Sequence, residues 1–379
     1  MAHAVGSRNE QGRAQKQKQK QKQAQARAAV RRRWWSGWPH WAGYAAAVWS
    51  LGYGLAGLYW ALGGAGYPFA KAAVERSSGS VLDPSPVAVV APVIAVVGLV
   101  GAVCGVLMAR RRCTAGAGRR ALLVVGWTLA ATLTVAVQDY TLIAVLAFAP
   151  LLVVFAFTGV PGPQDGVGDI LFWHRDNLLI LFVGGVLWTL ATLAHQRRAG
   201  GLCAHCGRGG RAAAWTTPES AARWGRRAVL VAVLSTVPYE VTRVAWFFGY
   251  PLGITDAFLK DMQDTPGLLG IGLGLGLASV VGGVLTHGLI ARWGEVWPRW
   301  VPFKAGRPVA PATAIVPALL VSVVAVPGGL MMIRAGNQPF GWGTNYPAML
   351  WVVWGAALGA ATLAYYLRRR GTCGYCAQG

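Results

Sequence analysis

The chain has 379 residues, of which 55% are apolar and only 13% are charged. This composition excludes an ordinary soluble domain, in which about 25% of the residues are charged. Stretches of roughly 20 apolar residues, the length that crosses a bilayer as a helix, recur along almost the whole chain after residue 40. The net charge of +22 would point to nucleic acid in a soluble protein. In a membrane protein its position along the chain matters more than its sum.

Much of this positive charge lies in residues 1–33, which contain the run "AQKQKQKQKQAQARAAVRRR". The segment has no apolar periodicity and cannot bury a core, so it is predicted to be a disordered basic tail. We expect it to be attracted to anionic lipid headgroups, by about 1 kcal/mol for each basic residue near the surface. Nucleic-acid binding is disfavoured because no interleaved aromatic residues or folded module accompany the run.

The apolar pattern predicts an all-α integral membrane protein. Eight stretches are predicted to span the membrane: 41–62, 87–108, 121–141, 177–196, 226–248, 266–291, 312–333 and 347–367. A further apolar stretch, "LIAVLAFAPLLVVFAFTGV" at 142–160, is predicted to be a re-entrant or bent segment that Pro150 helps to break.

Cytoplasmic loops collect lysine and arginine, and this rule separates eight spans from nine. With eight spans and a cytoplasmic N-terminus, the outer side carries only these basic residues: Lys71, Arg76, Arg175, Arg243, Lys260 and Arg334. Nine spans with the same N-terminus would place "RRAGGLCAHCGRGGR" outside. The sequence therefore predicts eight spans in the plasma membrane, with both termini in the cytoplasm.

Two parts of the chain resemble each other. "ATLA" at 191 precedes arginines and Cys203-x-x-Cys206, and "ATLA" at 361 precedes arginines and Cys373-x-x-Cys376. Further matches pair Tyr53 with Tyr239 and Trp60 with Trp246. We therefore predict two parallel four-helix repeats, residues 34–210 and 211–379, each ending in Cys-x-x-Cys. The alternative, chance matches among Ala, Leu and Val, stays open.

The Cys-x-x-Cys spacing lets two thiolates bind one metal ion or form a disulfide. Because a parallel duplication brings equivalent helix ends together, Cys203, Cys206, Cys373 and Cys376 are predicted to share one structural zinc ion. Cys206-Gly207-Arg208 fits a zinc knuckle, whereas Cys376 is followed by Ala377. A redox-active dithiol and two independent pairs stay open as alternatives, while a structural disulfide is disfavoured in the reducing cytoplasm.

Ionisable residues within spans are functional candidates by default. Glu240 and Arg243 are three residues apart on one helical face and are predicted to pair, whereas the equivalent positions of the first half hold Gly54 and Gly57. The other intramembrane polar candidates lie at outer helix ends: Asp139, Tyr140 and Arg334. The alternative role of these groups is to pair charges and cap helices.

At "YAAAVWSLGYGLAGLYWALGGAGYPF" and "GGVLWTLATLAHQRRAGGLCAHCGRG" the chain resembles an uncharacterised family of multi-pass membrane proteins from high-GC actinobacteria. The resemblance covers most of the chain after residue 34. It implies a location in the cell envelope and implies no particular activity.

The sequence carries no metalloprotease, serine-hydrolase or phosphate-loop signature, which favours a protein that is not an enzyme. Duplication and intramembrane charge are typical of transporters, so a transporter-like protein for an unknown small molecule is the leading hypothesis. The alternative is a membrane scaffold, or a redox- or metal-responsive regulator, that works through its cysteines.

Overall fold

A computed structural model describes residues 37–70, 79–111, 114–158, 171–210, 213–336 and 339–378. These residues form helices and connecting loops without a β-strand. The basic tail, residues 1–33, lies outside them. The described α-helices are α1 Trp38–Ala61, α2 Val87–Ala109, α3 Gly116–Ala131, α4 Thr141–Thr158, α5 Trp173–Ala199, α6 Pro218–Phe247, α7 Asp256–Asp264, α8 Leu268–His287, α9 Pro311–Ala335, α10 Trp342–Met349 and α11 Trp351–Arg369.

Among the described residues, seven helical stretches are long and apolar enough to cross a membrane. They are α2, α3 with the π-helical turn that extends it to Ala136, α5, α6, α8, α9, and α10 with α11. In α8, only 6% of the most apolar stretch is buried within the protein. Its apolar side chains therefore need lipid around them. The protein is an all-α, multi-pass membrane protein, and these seven stretches coincide with seven of the eight predicted spans.

The remaining predicted span, 41–62, forms α1, which has 24 residues. Glycines let α1 approach α2 until the two backbones touch. A Cβ atom built on Gly98 of α2 would lie 2.4 Å from the Cα of Gly54, and one on Gly105 would lie 2.9 Å from the backbone N of Ala47. Small residues at such positions allow the close contact that holds membrane helices together.

The two halves pack their helices in the same order. In the first half, α1 contacts α2 and α5, and α5 also contacts α3. In the second half, α6 contacts α8 and α11, and α11 also contacts α9. The first helix of each half thus lies between the second and the fourth, as a duplication requires. The duplication itself and its boundaries at residues 34–210 and 211–379 stay predictions.

The apolar stretch at 142–160 forms α4, which runs through Pro150 as one helix. The helix is therefore not broken at Pro150 as expected, and the re-entrant or bent path of the segment stays a prediction. The side chain of Gln138, just after α3, donates a hydrogen bond of 3.1 Å to the carbonyl of Leu178 near the start of α5. The residues just after α3 and those near the start of α5 therefore lie at the same end of the bundle. The count of eight spans stays a prediction.

The contact between α1 and α2 makes a testable prediction for Gly98. Gly98→Ala should lower the free energy of unfolding by about 1–3 kcal/mol, because the new methyl group overlaps the backbone of α1. Gly52→Ala is the matched control, since a Cβ there meets nothing within 4 Å. Thermal unfolding in detergent micelles measures both changes. Equal melting temperatures for the two variants would contradict backbone contact between α1 and α2.

Candidate metal centre

Both Cys-x-x-Cys segments begin a few residues after the last helix of their half. The preceding "ATLA" segments are buried in the same pattern: Ala191, Thr192 and Ala194 in α5, and Ala361, Thr362 and Ala364 in α11. Packing therefore fixes the ends of α5 and α11, and the loops that follow start from rigid supports. We call residues 203–208 the first knuckle and residues 373–378 the second knuckle.

The two knuckles fold alike. In the first, the N–H of Cys203 donates to the carbonyl of Arg208 at 2.8 Å, and the N–H of Gly207 donates to the carbonyl of Cys203 at 2.8 Å. In the second, the N–H of Cys373 donates to Gln378 at 2.9 Å, and that of Ala377 to Cys373 at 2.8 Å. Each loop is thus closed around its own pair of sulfur atoms.

The position after the second cysteine of each knuckle has a left-handed backbone. Gly207 has φ +72° and Ala377 has φ +59°. Glycine adopts this conformation at little cost, whereas an L-residue such as alanine pays about 1 kcal/mol or more. Ala377, which departs from the knuckle pattern in sequence, therefore follows it in backbone geometry.

The four sulfur atoms meet at one point between the knuckles. Their Sγ atoms all lie within 4.8 Å of one another, and each cysteine is partly buried. Cys206 Sγ and Cys376 Sγ, which belong to different knuckles, are 3.5 Å apart, and all four thiols are free. A tetrahedral ion with metal–sulfur bonds of about 2.3 Å spaces its sulfur ligands about 3.8 Å apart. The arrangement therefore suits one metal ion bound by four cysteines, as the sequence predicted.

The acidities of the thiols differ within the cluster. Burial raises the pKa of Cys203, but hydrogen bonds from the backbone N–H groups of Cys206 and His205 and from neighbouring thiols outweigh it and lower the pKa to about 7. Burial and hydrogen bonding with the other three thiols raise the pKa of Cys206 to about 12. Cys203 is therefore the more acidic of these two thiols, because hydrogen bonds stabilise its thiolate. A divalent cation would lower the pKa of a coordinated thiol, because a coordinated thiol loses its proton.

Two arginines hold the knuckles. The guanidinium of Arg208 donates hydrogen bonds to the carbonyls of Gly371 at 2.8 Å and Gln378 at 2.7 Å. Arg208 therefore binds the first knuckle to the backbone around the second. Arg197, at the end of α5, donates to the carbonyls of Ala204 and His205 at 3.1 and 2.9 Å. Arg208 thus joins the two knuckles without using a sulfur atom, whereas Arg197 holds the first knuckle against the end of α5.

A stacked ring pair also joins the two knuckles. The rings of His205 and Tyr375 are 3.4 Å apart between centroids and are inclined by only 6°. The two residues hold the same position, directly before the second cysteine of each knuckle. His205 therefore packs on the opposite knuckle beside the four-sulfur cluster.

The connection between α8 and α9, residues 288–310, forms a hairpin that contacts the end of α11. Arg368 forms an ion pair of 3.0 Å with Glu295, and Arg369 donates to the carbonyl of Val309 at 2.9 Å. The hydroxyl of Tyr365 donates to the carbonyl of Gly294 at 2.7 Å. The hairpin and the knuckles thus lie at one end of the bundle, which we call the cysteine end.

The candidates Asp139, Tyr140 and Arg334 come together at the opposite end. Arg334 of α9 donates to the carbonyls of Gly79 at 2.7 Å and Gln138 at 3.4 Å, which joins the two halves. Asp139 is fully buried and accepts a 2.6 Å hydrogen bond from the backbone N–H of Thr141 at the start of α4. Asp139 thus caps the start of α4, and Arg334 links the two halves.

Tyr140 belongs to the same group of contacts. Its hydroxyl accepts a 3.0 Å hydrogen bond from the guanidinium of Arg175, near the start of α5. The guanidinium carbon of Arg175 also lies 5.0 Å from the centre of the Phe172 ring. Tyr140 therefore ties the start of α4 to the start of α5.

Glu240 and Arg243 lie apart from this group, and the structure forms no ion pair between them. Glu240 instead accepts a 2.9 Å hydrogen bond from the hydroxyl of Ser279 in α8. Arg243 turns away and lies against aromatic rings, 4.4 Å from the centre of Tyr239 and 4.2 Å from that of Trp246. Cation–π attraction compensates Arg243 in place of the predicted pairing.

Sequence reasoning missed a buried contact between a histidine and an aspartate at the opposite end. His174 Nε2 lies 2.9 Å from an oxygen of Asp83, and both side chains are fully buried. Asp83 also accepts a 3.0 Å hydrogen bond from the backbone N–H of Ser80. The two residues are 91 positions apart in the chain, so no local pattern links them. The bridging role of Arg208 was missed for the same reason.

No protein family, curated protein or solved structure matches the chain. The resemblance to the actinobacterial membrane-protein family therefore stays a prediction.

The two left-handed positions allow a paired test of the knuckles. Ala377→Gly should slow the loss of bound metal to a chelator several-fold, because it relieves about 1 kcal/mol of backbone strain. Gly207→Ala should speed metal loss, because it introduces the strain and places a Cβ 3.1 Å from Nε of Arg197. Stopped-flow chelation with a colorimetric dye measures both rates. The equivalence of the knuckles is contradicted if both variants change the rate in the same direction.

Proposed function

We propose that the protein is a transporter-like membrane protein whose two halves are clasped at the cysteine end by one zinc ion. The observation that carries the clasp is the convergence of Cys203, Cys206, Cys373 and Cys376, two from each half, on one point. Zinc is the metal that tetrahedral thiolate sites most often bind, and it needs no redox partner.

The donor set indicates a structural role for the ion. Four protein sulfur ligands fill a tetrahedral coordination sphere and leave no position for water or substrate. The contacts around the site also favour a structural role, since Arg208 and the stacked rings of His205 and Tyr375 join one knuckle to the other. Zinc would therefore add its binding free energy to the association of the two halves.

The wider proposal of transport rests on the intramembrane carboxylate Glu240, which lies in the wall of a crevice between two spans. Membrane-embedded charges commonly mark substrate or ion pathways. The alternative, a scaffold or a regulator that senses metal or redox state, would use the clasp alone and would not need the crevice.

We further propose that the protein lies in the plasma membrane with both termini in the cytoplasm. The hairpin at the cysteine end carries Arg292, Arg299, Lys304 and Arg307, all of which are exposed. An excess of exposed basic residues at this end supports a cytoplasmic position for it. The basic tail would then face the anionic lipids of the inner leaflet.

The clasp predicts one zinc ion for each purified chain. Cys203→Ser and Cys373→Ser should each remove it, because loss of one of four ligands from either knuckle opens the coordination sphere. Cys104→Ser is the matched control, since this free thiol lies within α2 and outside the cluster. Elemental analysis of protein purified without added metal gives the count. Zinc retained by either knuckle variant would overturn a shared site, and iron in its place would correct the metal.

The orientation predicts opposite labelling at two exposed lysines. Lys304→Cys, in the hairpin at the cysteine end, should react with a membrane-impermeant maleimide only after the cells are opened. Lys260→Cys, in α7, should react in intact cells, because α7 follows one further crossing of the chain. Mass-shift labelling against the unsubstituted parent corrects for the native cysteines. The reverse pattern would invert the topology while leaving the clasp intact.

A further inference from the structure

A crevice of about 380 Å³ lies between α6 and α8 in the second half. Its walls are mainly apolar, with Val229, Val233, Val280 and Val284 among the lining residues. Glu240 contributes a carboxylate to this apolar crevice. The site therefore combines a charged group with room for an apolar ligand.

The same pair of helices in the first half is in backbone contact at its glycines. There Gly54 and Gly98 bring α1 and α2 into backbone contact, and a Cβ on Gly57 would lie 2.8 Å from the backbone N of Ala95. By the proposed repeat, the positions of Gly54 and Gly57 correspond to Glu240 and Arg243. Two glycines at the close contact of α1 with α2 thus correspond to two large ionisable residues on α6.

α6 and α8 lie close together at Arg243. A Cβ built on Gly276 of α8 would lie 3.2 Å from Cβ of Arg243, and one on Gly272 would lie 3.7 Å from its Cδ. Further along α8, a Cβ on Gly283 would meet only Cγ1 of Val233, at 3.9 Å. The glycines of α8 therefore accommodate the side chain of Arg243, and the helices separate beyond it, where the crevice lies.

Glu240 has no cationic partner among the described residues. Its hydrogen bond comes from the neutral hydroxyl of Ser279, and Arg243 is engaged with Tyr239 and Trp246. A carboxylate at membrane depth is costly unless a proton or a cation neutralises it. None of the described residues therefore forms an ion pair with Glu240.

The other polar groups of the crevice lie at its far end. Arg226 precedes Glu240 by 14 residues on α6, which corresponds to about 21 Å of helix. Arg226 and His287 both line the crevice toward the cysteine end, where α6 begins and α8 ends. At that depth they can reach lipid phosphates, so they do not supply the charge that Glu240 needs.

We propose that this crevice binds an organic cation with an apolar body. The ammonium or phosphonium charge lies beside the carboxylate of Glu240, and the apolar body packs on the valines of α6 and α8. The proposal rests on the transporter-like function as its substrate class. Binding is nevertheless measured separately from transport, so that the failure of one can be distinguished from the failure of the other.

Tetraphenylphosphonium and tetraphenylborate provide the test, because they share one shape and differ in the sign of their charge. Purified protein in lipid nanodiscs should bind radiolabelled tetraphenylphosphonium saturably, with one site per chain, and should not bind tetraphenylborate at the same site. Glu240→Gln should weaken binding of the cation about tenfold or more, because the charge-assisted contact is lost. Glu219→Gln, at the exposed start of the same helix, is the matched control and should bind as the parent does.

A second variant keeps the proposal testable if Glu240→Gln does not fold. Val233→Phe should fill the crevice and lower cation binding while leaving Glu240 and the zinc content unchanged. Equal binding of the cation and the anion, or parent-like binding by folded Glu240→Gln, would overturn the cation site. Saturable binding without uptake into proteoliposomes would keep the site and overturn transport. Absence of saturable binding would overturn the site whatever the uptake shows.

Discussion

The convergence of four sulfur atoms on one point constrains the whole fold. Cys206 and Cys376 are 170 positions apart and their sulfur atoms are 3.5 Å apart, so all the chain between them must return to the same end of the bundle. The stretches α6, α8, α9, and α10 with α11 meet this condition, because four crossings are an even number. The condition does not depend on α4, which precedes both knuckles. α4 packs instead against α9 and α5.

The halves are joined differently at the two ends of the bundle. At the cysteine end they meet through four thiols, the guanidinium of Arg208 and a stacked ring pair. At the opposite end, Arg334 donates to the backbone carbonyls of Gly79 and Gln138. A single hydrogen bond contributes about 1 kcal/mol net, whereas a structural zinc site contributes about ten times as much. With zinc bound, the clasp would therefore hold the halves together more strongly than the two hydrogen bonds of Arg334 do.

Sequence reasoning predicted the features that depend on the periodicity of apolar residues, on composition and on the spacing of motifs. Apolar stretches located the spanning helices, and the common spacing from "ATLA" to cysteine predicted that both pairs occupy equivalent places. It failed for Glu240 and Arg243, because spacing on a helix shows which side chains can meet and not which partners compete for them. Ser279 and two aromatic rings supplied those partners. The contact between Asp83 and His174 could not be predicted from the sequence, since only the folded chain brings a loop residue to that helix.

The contrast between the two helix pairs has a physical logic. A helix pair packed through glycine gains stability from backbone contact, as α1 and α2 show. Glu240 and Arg243, at the positions that the proposed repeat makes equivalent, bring ionisable groups into the membrane, which lowers stability. Glycines on α8 reduce the steric cost by making room for Arg243, and the aromatic rings beside it reduce the electrostatic cost. Among the described residues, only the hydroxyl of Ser279 donates a hydrogen bond to Glu240. A cationic ligand in the crevice would lower the remaining electrostatic cost of this carboxylate.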